Sequence, residues 1–166
     1  MRVLGIDPSS QATGYGILEL KEGRTTVLGY GTIKPRRQAV LPERLLEIKC
    51  GINRLIGAFE PGEVAIENPF FGLNIKTAIT LGQVRGAILV AVADRGRPLS
   101  EYSPLEIKKA VTGYGRADKH QVATMVRALL GLEDETLEED ASDALACAIC
   151  HLNIRTFQKN IEESSR

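Results

Sequence analysis

Hydrophobic positions in the first part of the chain fall in short alternating runs, a pattern that predicts three β-strands. The runs cover residues 3–6, 14–20 and 25–33, and the first is followed directly by Asp7-Pro8-Ser9-Ser10. Short polar segments with turn residues separate the runs. We therefore expect the three strands to form an antiparallel meander.

The middle of the chain alternates between helical and strand patterns. Apolar residues recur every three or four positions over residues 42–59, which predicts a helix with Pro42 in its first turn. Residues 63–67 form a short apolar run between turn residues and predict a buried strand. Residues 74–95 predict a long helix rich in small side chains, and residues 98–102 predict a fifth strand.

The last third of the chain is predicted to be helical. Ser103 and Glu106 have the spacing of a capping box at the start of a short helix. Further helices are expected at residues 118–130, behind an Asp cap, and at residues 140–157. Residues 158–166 are polar and are expected to form a flexible tail.

Length and composition fit one globular domain, which we assign to residues 1–157. Of the 166 residues, 43% are hydrophobic and 25% are charged, both ordinary values for a soluble protein. We find no apolar run near the ~20 residues that cross a bilayer, and no secretory h-region at the start. Three cysteines, an odd number, do not make a disulfide framework. These features predict a cytoplasmic protein without membrane contact and with reduced, mostly buried thiols.

The formal net charge is zero because 21 basic residues balance 21 acidic ones. This balance hides an asymmetry, since acidic residues cluster at positions 133–139 and leave the rest of the chain net positive. A nucleic-acid surface would therefore be a local basic patch. From the pattern alone, a solvated charged face is the more common interpretation of the candidate residues, which are Lys108, Lys109, Arg116, Lys119 and His120.

Four acidic residues are notable for their positions in the predicted elements. Asp7 and Glu67 each end an apolar strand, and Asp140 and Asp143 share one face at the start of the last helix. Buried carboxylates are costly unless they are paired or bind a cation. If the strands are neighbours and the helix packs on the sheet, the four acids converge. Oxygen ligands without Cys or His favour Mg²⁺ or Mn²⁺, and two such ions would suit phosphodiester cleavage.

A purely structural interpretation of the same acids stays open at this point. Asp140 and Asp143 fit a helix cap and its capping-box partner, and Glu67 fits an ion pair with an arginine. Cys147 and His151 are four residues apart and resemble half of a metal site. Because no second half is found elsewhere, a core position is favoured, with His151 close enough along the helix to reach the acids.

Blocks of sequence around these residues resemble the RuvC family of Holliday junction resolvases, in the ribonuclease H-like superfamily. A lone Gly-Ile-Asp is shared with actin-like ATPases, but the set of blocks in this order is specific. The resemblance implies an α/β, ribonuclease H-like fold. Its five-stranded mixed sheet has three antiparallel strands, then parallel strands, and is flanked by helices. The blocks are Gly5-Ile6-Asp7-Pro8, Thr13-Gly14-Tyr15-Gly16, Ala65-Ile66-Glu67, Leu81-Gly82-Gln83-Val84-Arg85-Gly86, Lys119-His120-Gln121-Val122 and Asp140-Ala141-Ser142-Asp143-Ala144-Leu145-Ala146.

The resemblance also implies an activity. It implies a homodimer that nicks two opposed strands of four-way junction DNA symmetrically, in homologous recombination and DNA repair. The products would carry 5′-phosphate and 3′-hydroxyl ends, and a branch-migration helicase complex would be a partner. The family's catalytic metal ligands fall on Asp7, Glu67, Asp140 and Asp143, which would hold two Mg²⁺ ions, replaceable by Mn²⁺.

Further roles follow from the same resemblance. Lys108 and Lys119 align with lysines that contact the scissile strand, and Phe70 aligns with an aromatic residue that stacks on bases near the junction centre. Independently of the resemblance, we expect Phe71 to pack inward. The helix at residues 74–95 is apolar on too many sides for one-face packing, so it is either buried between the sheet and other helices of one subunit or, as the resemblance favours, forms the dimer interface.

Two turns depart from the family pattern. Ser9 stands where members usually have Gly, which would matter only if φ is positive there. Asn68-Pro69 follows Glu67, where Gln is common after the catalytic Glu.

Two other functions share part of these features. An actin-like ATPase or sugar kinase has the same Gly-Ile-Asp strand, but needs two such domains, and this chain has room for one. The other alternative is a non-catalytic junction-binding protein whose acids are only structural.

Overall fold

The structure is a computed structural model and describes residues 1–68 and 75–164. Strands come first along the chain and helices dominate its second half. The elements are β1 (Arg2–Asp7), β2 (Thr13–Lys21), β3 (Arg24–Ile33), α1 (Leu41–Phe59), β4 (Glu63–Glu67), α2 (Ile75–Asp94), β5 (Leu99–Tyr102), α3 (Pro104–Thr112), α4 (Lys119–Leu130) and α5 (Glu139–Ser164).

The five strands form one sheet in the order β3-β2-β1-β4-β5. β1, β2 and β3 pair antiparallel, whereas β4 runs parallel to β1 and β5 runs parallel to β4. The prediction of a mixed sheet with an antiparallel meander is confirmed. Because β1 and β4 are parallel neighbours, their last residues, Asp7 and Glu67, lie at the same edge of the sheet.

Helices cover both faces of the sheet, and each face has its own core. Val3 belongs to one core and Leu4 to the other, because successive strand side chains point to opposite faces. α1 and α2 pack against each other and supply Ile52 and Ile88 to the core around Leu4. α5 packs on the other face beside α3 and α4, so it lies on the side opposite to α2.

α5 approaches the sheet so closely that only glycine fits beneath it. A Cβ added to Gly14 would lie 1.9 Å from the carbonyl oxygen of Asp140. One added to Gly5 would lie 2.2 Å from the carbonyl oxygen of Ala144. No side chain tolerates such distances to backbone atoms, so these glycines let the start of α5 rest directly on β1 and β2.

The predicted helix starts are confirmed where a cap marks them. Ser103 accepts a hydrogen bond from the backbone N–H of Glu106, whose side chain completes the capping box. Asp118 and Gln121 form a second capping box at the start of α4. Each cap satisfies N–H groups that have no partner within the first helical turn.

The predicted end of the last helix, near Phe157, is wrong, because α5 continues to Ser164. Residues 155–164 are all exposed and mostly polar, which is why the sequence pattern predicted a tail there. Once a helix has formed, adding residues costs little, and Gln, Lys and Glu are good helix formers.

The expectation that no apolar run is long enough to cross a membrane is also wrong. The helix Ile75–Asp94 is long and apolar enough to cross a membrane, by length and composition alone. One such helix is weak support for a membrane protein, since core helices of soluble proteins meet the same test. Ile75, Ile79 and Val90 of this helix are exposed, so part of the apolar surface of α2 has no cover in the described residues.

Candidate active site

The four acids selected from the sequence lie at one end of the sheet. Asp7 and Glu67 end neighbouring parallel strands. Asp7 pairs with Gly14, and Gly14 lies directly under the backbone of Asp140. Asp143 follows one turn further along α5. We call the space between these four residues the acidic cleft.

Burial and mutual repulsion oppose ionisation in the acidic cleft. Burial, together with repulsion from Glu67, Asp143 and Asp140, raises the pKa of Asp7 from 3.8 to about 8. Burial also raises the pKa of Glu67 to about 7, with a contribution from Asp143. The pKa values of Asp140 and Asp143 are raised as well, again chiefly by burial. At neutral pH the carboxyls of Asp7 and Glu67 therefore take up protons unless a cation compensates their charge.

Two lysines from the helices beside the sheet supply positive charge. Lys119, at the start of α4, forms an ion pair with Glu139, and its Nζ lies 3.6 Å from Oδ2 of Asp143. Its charge lowers the pKa of Asp143 against the effect of burial. Lys108, on α3, acts on Glu67 in the same direction. Both lysines line a cavity of about 240 Å³ together with Glu67 and Asp143.

The donor set of the cleft suits a hard divalent cation, because it consists of carboxylate oxygens alone. Within the described ranges, however, no three Asp, Glu, His or Cys side chains are close enough together to form a ready metal-binding group. The pKa of Asp7 responds to the other three acids, so the four share one electrostatic field. The acidic cleft therefore matches a divalent cation in charge, and the four acidic side chains must turn towards one another to hold an ion.

The structural alternative for these acids is not supported. α5 begins at Glu139, so Asp140 lies inside the first turn and is not the N-cap. Arg85 does reach Glu67, but it donates to the backbone carbonyl oxygen over 2.8 Å and pairs its charge with Glu101. No ion pair of the Glu67 carboxylate is found in the part of the chain that the structure describes.

The remaining predicted residues fall in several places. Phe70 and Phe71 lie outside the described residues. The core position of Cys147 and His151 is confirmed, since both are fully buried. Nδ1 of His151 lies 2.8 Å from the Tyr102 hydroxyl, and Nε2 lies 3.1 Å from Oε2 of Glu63. Glu63 begins β4 whereas Glu67 ends it, so His151 faces the opposite end of the strand from the cleft.

The two departures from the family pattern fit the fold. Ser9 is not among the residues with positive φ, and its carbonyl oxygen accepts a hydrogen bond of 2.7 Å from the Thr13 hydroxyl. The backbone N–H of Asn68 donates to the carbonyl oxygen of Tyr102 over 2.7 Å, so the strand pairing runs one residue past Glu67. Pro69 lies outside the described residues.

Sequence reasoning missed two residues that touch the site. Glu139 holds Lys119 beside the cleft, and Arg85 holds the end of β4. Glu139 carries no signal beyond its place next to Asp140. Arg85 does lie in one of the blocks on which the family resemblance rests, and that block was the available signal.

Solved structures with the same fold define the class of this protein. It resembles T. thermophilus RuvC in complex with a Holliday junction substrate, at 33% identity and a TM-score of 0.89 over 95% of this chain and 96% of that one. The yeast mitochondrial Holliday junction resolvase Ydc2 matches with a TM-score of 0.70 at 14% identity, over 95% of this chain and 80% of that one, which shows the fold alone. The chain therefore has the ribonuclease H-like fold of these resolvases.

Sequence comparisons identify the family within that class. The model for the crossover junction endodeoxyribonuclease RuvC matches residues 3–151. A relative of that name from Syntrophomonas wolfei is 44% identical over 99% of this chain and 96% of its own length. Another, from Moorella thermoacetica, is 45% identical over 98% of both chains. This chain belongs to the RuvC family of endodeoxyribonucleases, which are metal-dependent, and the actin-like ATPase alternative is excluded.

Proposed function

We infer that this protein is a structure-specific endonuclease that resolves Holliday junctions, and we propose Asp7, Glu67, Asp140 and Asp143 as its catalytic metal ligands. The observation that carries the proposal is the electrostatic crowding of the cleft. The pKa values of Asp7 and Glu67 rise to about 8 and about 7, so cleft and cation are complementary in charge. Family membership supports the reaction, and the crowding supports the choice of residues.

The proposed ions are two Mg²⁺ per active site, with Mn²⁺ able to substitute. When bound, such ions supply an activated water and stabilise the leaving oxygen of the phosphodiester. The chain contributes the geometry. Asp7 and Glu67 project from strand ends held in the sheet ladder, and Asp140 and Asp143 project from a helix seated on glycine. Rigid elements of this kind hold ligands more accurately than loops do.

We propose that Lys108 and Lys119 bind the phosphates of the scissile strand. Both border the cleft on the side of α3 and α4, where they oppose the charge of the acids. We also propose, from the family resemblance, that Phe70 stacks on a base near the junction centre. Stacking of this kind contributes about 1–3 kcal/mol for each base.

We propose that the protein acts as a homodimer that contacts its second copy through α2. Symmetric nicking of two opposed strands, which leaves 5′-phosphate and 3′-hydroxyl ends, needs two active sites, and the described residues of one chain form one acidic cleft. The outward face of α2 has apolar and small residues every three or four positions, as helix pairs require. We call this face the α2 stripe, and it consists of Ile75 (80% exposed), Ile79 (58%), Gly82, Gly86 and Val90 (51%).

The cellular setting is proposed from the same resemblance. The family relatives named above come from bacteria and act on DNA, which is consistent with a cytoplasmic enzyme of homologous recombination and DNA repair. A branch-migration helicase complex is the proposed partner. Residues 1–157 are the proposed nuclease domain.

Replacing one acid tests whether the cleft is catalytic. Asp7→Asn keeps the shape of the side chain but removes a charged ligand, so junction cleavage in Mg²⁺ should fall by about 10³-fold or more. Binding of the four-way junction in chelator should be retained. Asp94→Asn is the matched control, because Asp94 pairs with Lys49 at the far end of α2. Cleavage by Asp7→Asn at the wild-type rate would remove Asp7 from the site, and a wild type that binds without cutting would favour the non-catalytic alternative.

Replacing a lysine tests the proposed DNA contact. Lys119→Ala removes a charged hydrogen-bond donor worth roughly 1.5–3 kcal/mol, so cleavage should slow by about ten- to a hundredfold. The melting temperature should change little, because the Lys119 side chain is 70% exposed. Lys159→Ala is the control, since Lys159 pairs with Glu163 near the end of α5. Equal cleavage rates for the two variants would exclude Lys119 from the active site.

A further inference from the structure

Glu67 lies at the point where β4 is no longer paired with β1 but is still paired with β5. The last residue pair between β1 and β4 is Ile6 with Ile66, one residue before Glu67. On the other side the pairing with β5 continues, from Glu67 with Tyr102 to the N–H of Asn68. The peptide that follows the Glu67 side chain therefore lies beyond the ladder towards β1, where its carbonyl oxygen needs another donor.

Arg85 supplies that donor from α2. Its Nη1 donates to the carbonyl oxygen of Glu67 over 2.8 Å. Its Nη2 lies 3.1 Å from Oε2 of Glu101, in the adjacent strand β5. The Arg85 side chain is only 15% exposed, compared with 41% for Glu101. A planar guanidinium holds two acceptors in a fixed relative position, which the single ammonium of lysine does not.

Arg85 acts on the position of Glu67 and not on its charge. The charged neighbours that shift the pKa of the Glu67 carboxyl are Asp143, Lys119 and Lys108. Arg85 forms an ion pair with Glu101, and it donates a hydrogen bond to the backbone carbonyl oxygen of Glu67. The bond therefore fixes the peptide from which the carboxylate projects.

We propose that Arg85 is a positioning residue for metal binding, which holds the end of β4 so that Glu67 faces the acidic cleft in a constant geometry. This inference rests on the proposed role of Glu67 as a metal ligand. Residues that orient ligands typically change metal affinity or activity by about 10–100-fold when they are replaced. Because α2 also carries the α2 stripe, the same contact connects the proposed dimer helix to the catalytic strand.

Arg85→Met is the test, because methionine keeps the apolar stem and removes every donor. Arg95→Met is the matched control: Arg95 lies one residue beyond α2 and bonds to Asn53 on α1. Mn²⁺ affinity is measured without DNA, from the loss of the free-ion paramagnetic resonance signal, together with thermal unfolding and junction binding in chelator. We expect Arg85→Met to bind Mn²⁺ about tenfold more weakly and to need about tenfold more Mg²⁺ for half-maximal cleavage. Its junction binding, and all properties of Arg95→Met, should match the wild type.

Each outcome decides the proposal. A folded Arg85→Met protein with wild-type Mn²⁺ affinity would overturn it. If Arg85→Met does not fold, Arg85→Lys decides, since it keeps the charge but replaces the planar guanidinium with a single ammonium. Mn²⁺ affinity several-fold below the wild type supports the proposal, and wild-type affinity overturns it. A wild type that binds no Mn²⁺, or an Asp7→Asn variant that binds it equally well, would overturn the proposed metal site and this inference together, which distinguishes that failure from a failure of Arg85 alone.

Discussion

α2 and α5 are both long helices rich in apolar and small residues, yet the fold uses them differently. In α5, nearly every residue from Ala141 to Leu152 is buried against the sheet and its neighbours. In α2, the buried residues are Val84, Ile88, Ala91 and Val92. Similar composition therefore leads to one helix whose first half, up to Leu152, is packed within the subunit, and to another, α2, with an uncovered apolar face.

The glycines on the two sides show the same difference at atomic detail. Below α5, the space next to Gly5 and Gly14 is filled by helix backbone. Along α2, a Cβ on Gly82 or Gly86 would meet nothing within 4 Å among the described residues. On the α5 side the helix packs closely on the sheet, and this contact brings Asp140 and Asp143 to the acidic cleft. On the α2 side the room for close packing is left free, as a second copy of the chain would require.

The largest effect is expected from a substitution that disturbs the contact between α5 and the sheet. Gly14→Ala places a methyl group where the carbonyl oxygen of Asp140 lies, so α5 must move and carry Asp140 and Asp143 away from Asp7. The free energy of unfolding should fall by about 1–3 kcal/mol, which lowers the melting temperature by several degrees, and junction cleavage should be lost.

Gly57→Ala is the control for this substitution. Gly57 lies in α1 and a Cβ there meets nothing within 4 Å, so alanine should be neutral or stabilise the helix by about 0.5–1 kcal/mol. If Gly14→Ala and Gly57→Ala have the same melting temperature and the same cleavage rate, the close packing of α5 on β2 does not matter for the active site.

A charge placed in the α2 stripe should affect the fold of the subunit less than Gly14→Ala does. It should clearly weaken dimer formation. Ile79→Glu puts a carboxylate into the α2 stripe, and an unpaired buried charge costs several kcal/mol. Sedimentation should show the dimer dissociation constant rise by about 100-fold, with the subunit still folded. Leu129→Glu is the control, because Leu129 is similarly exposed (51%) but lies on α4. A wild-type protein that is monomeric, or that floats with lipid vesicles, would contradict the proposed dimer.

The smallest effect is expected from pH in the absence of metal. At pH 6.5 Asp7 and Glu67 are already ionised in the unfolded chain, whereas in the folded protein their pKa values are about 8 and about 7. The folded state therefore binds more protons, and the free energy of unfolding should fall as pH rises from 6.5 through 8 and level off only about one pH unit above the pKa of Asp7. We expect a loss of about 1 kcal/mol, within the limit of about 1.4 kcal/mol per pH unit for each group.

Thermal unfolding in chelator between pH 6.5 and 8.5 measures this slope. Burial lowers the pKa of His151 below its usual value of 6.5, so this range leaves its titration out. Asp7→Asn should reduce the slope, and Mn²⁺ should restore stability at pH 8 by binding the folded state. A slope that is unchanged in Asp7→Asn would show that crowding in the cleft does not arise from Asp7.

The sequence by itself determined the elements and the residues of interest, because their signals are local. Alternation over a few residues marks β1 and β4, the Ser103–Glu106 capping box marks the start of α3, and the acids are visible as charges at element ends. The family resemblance rests on the same local blocks.

Only the tertiary structure decided how these parts meet. The seating of α5 on Gly14, the bond from Arg85 to Glu67 and the open face of α2 join or leave apart residues that are distant along the chain. Periodicity marks which face of a helix is apolar, but not whether that face is covered within one subunit. Packing distance, burial and the resulting pKa shifts depend on the whole fold, and they are the quantities that make four separate acids one site.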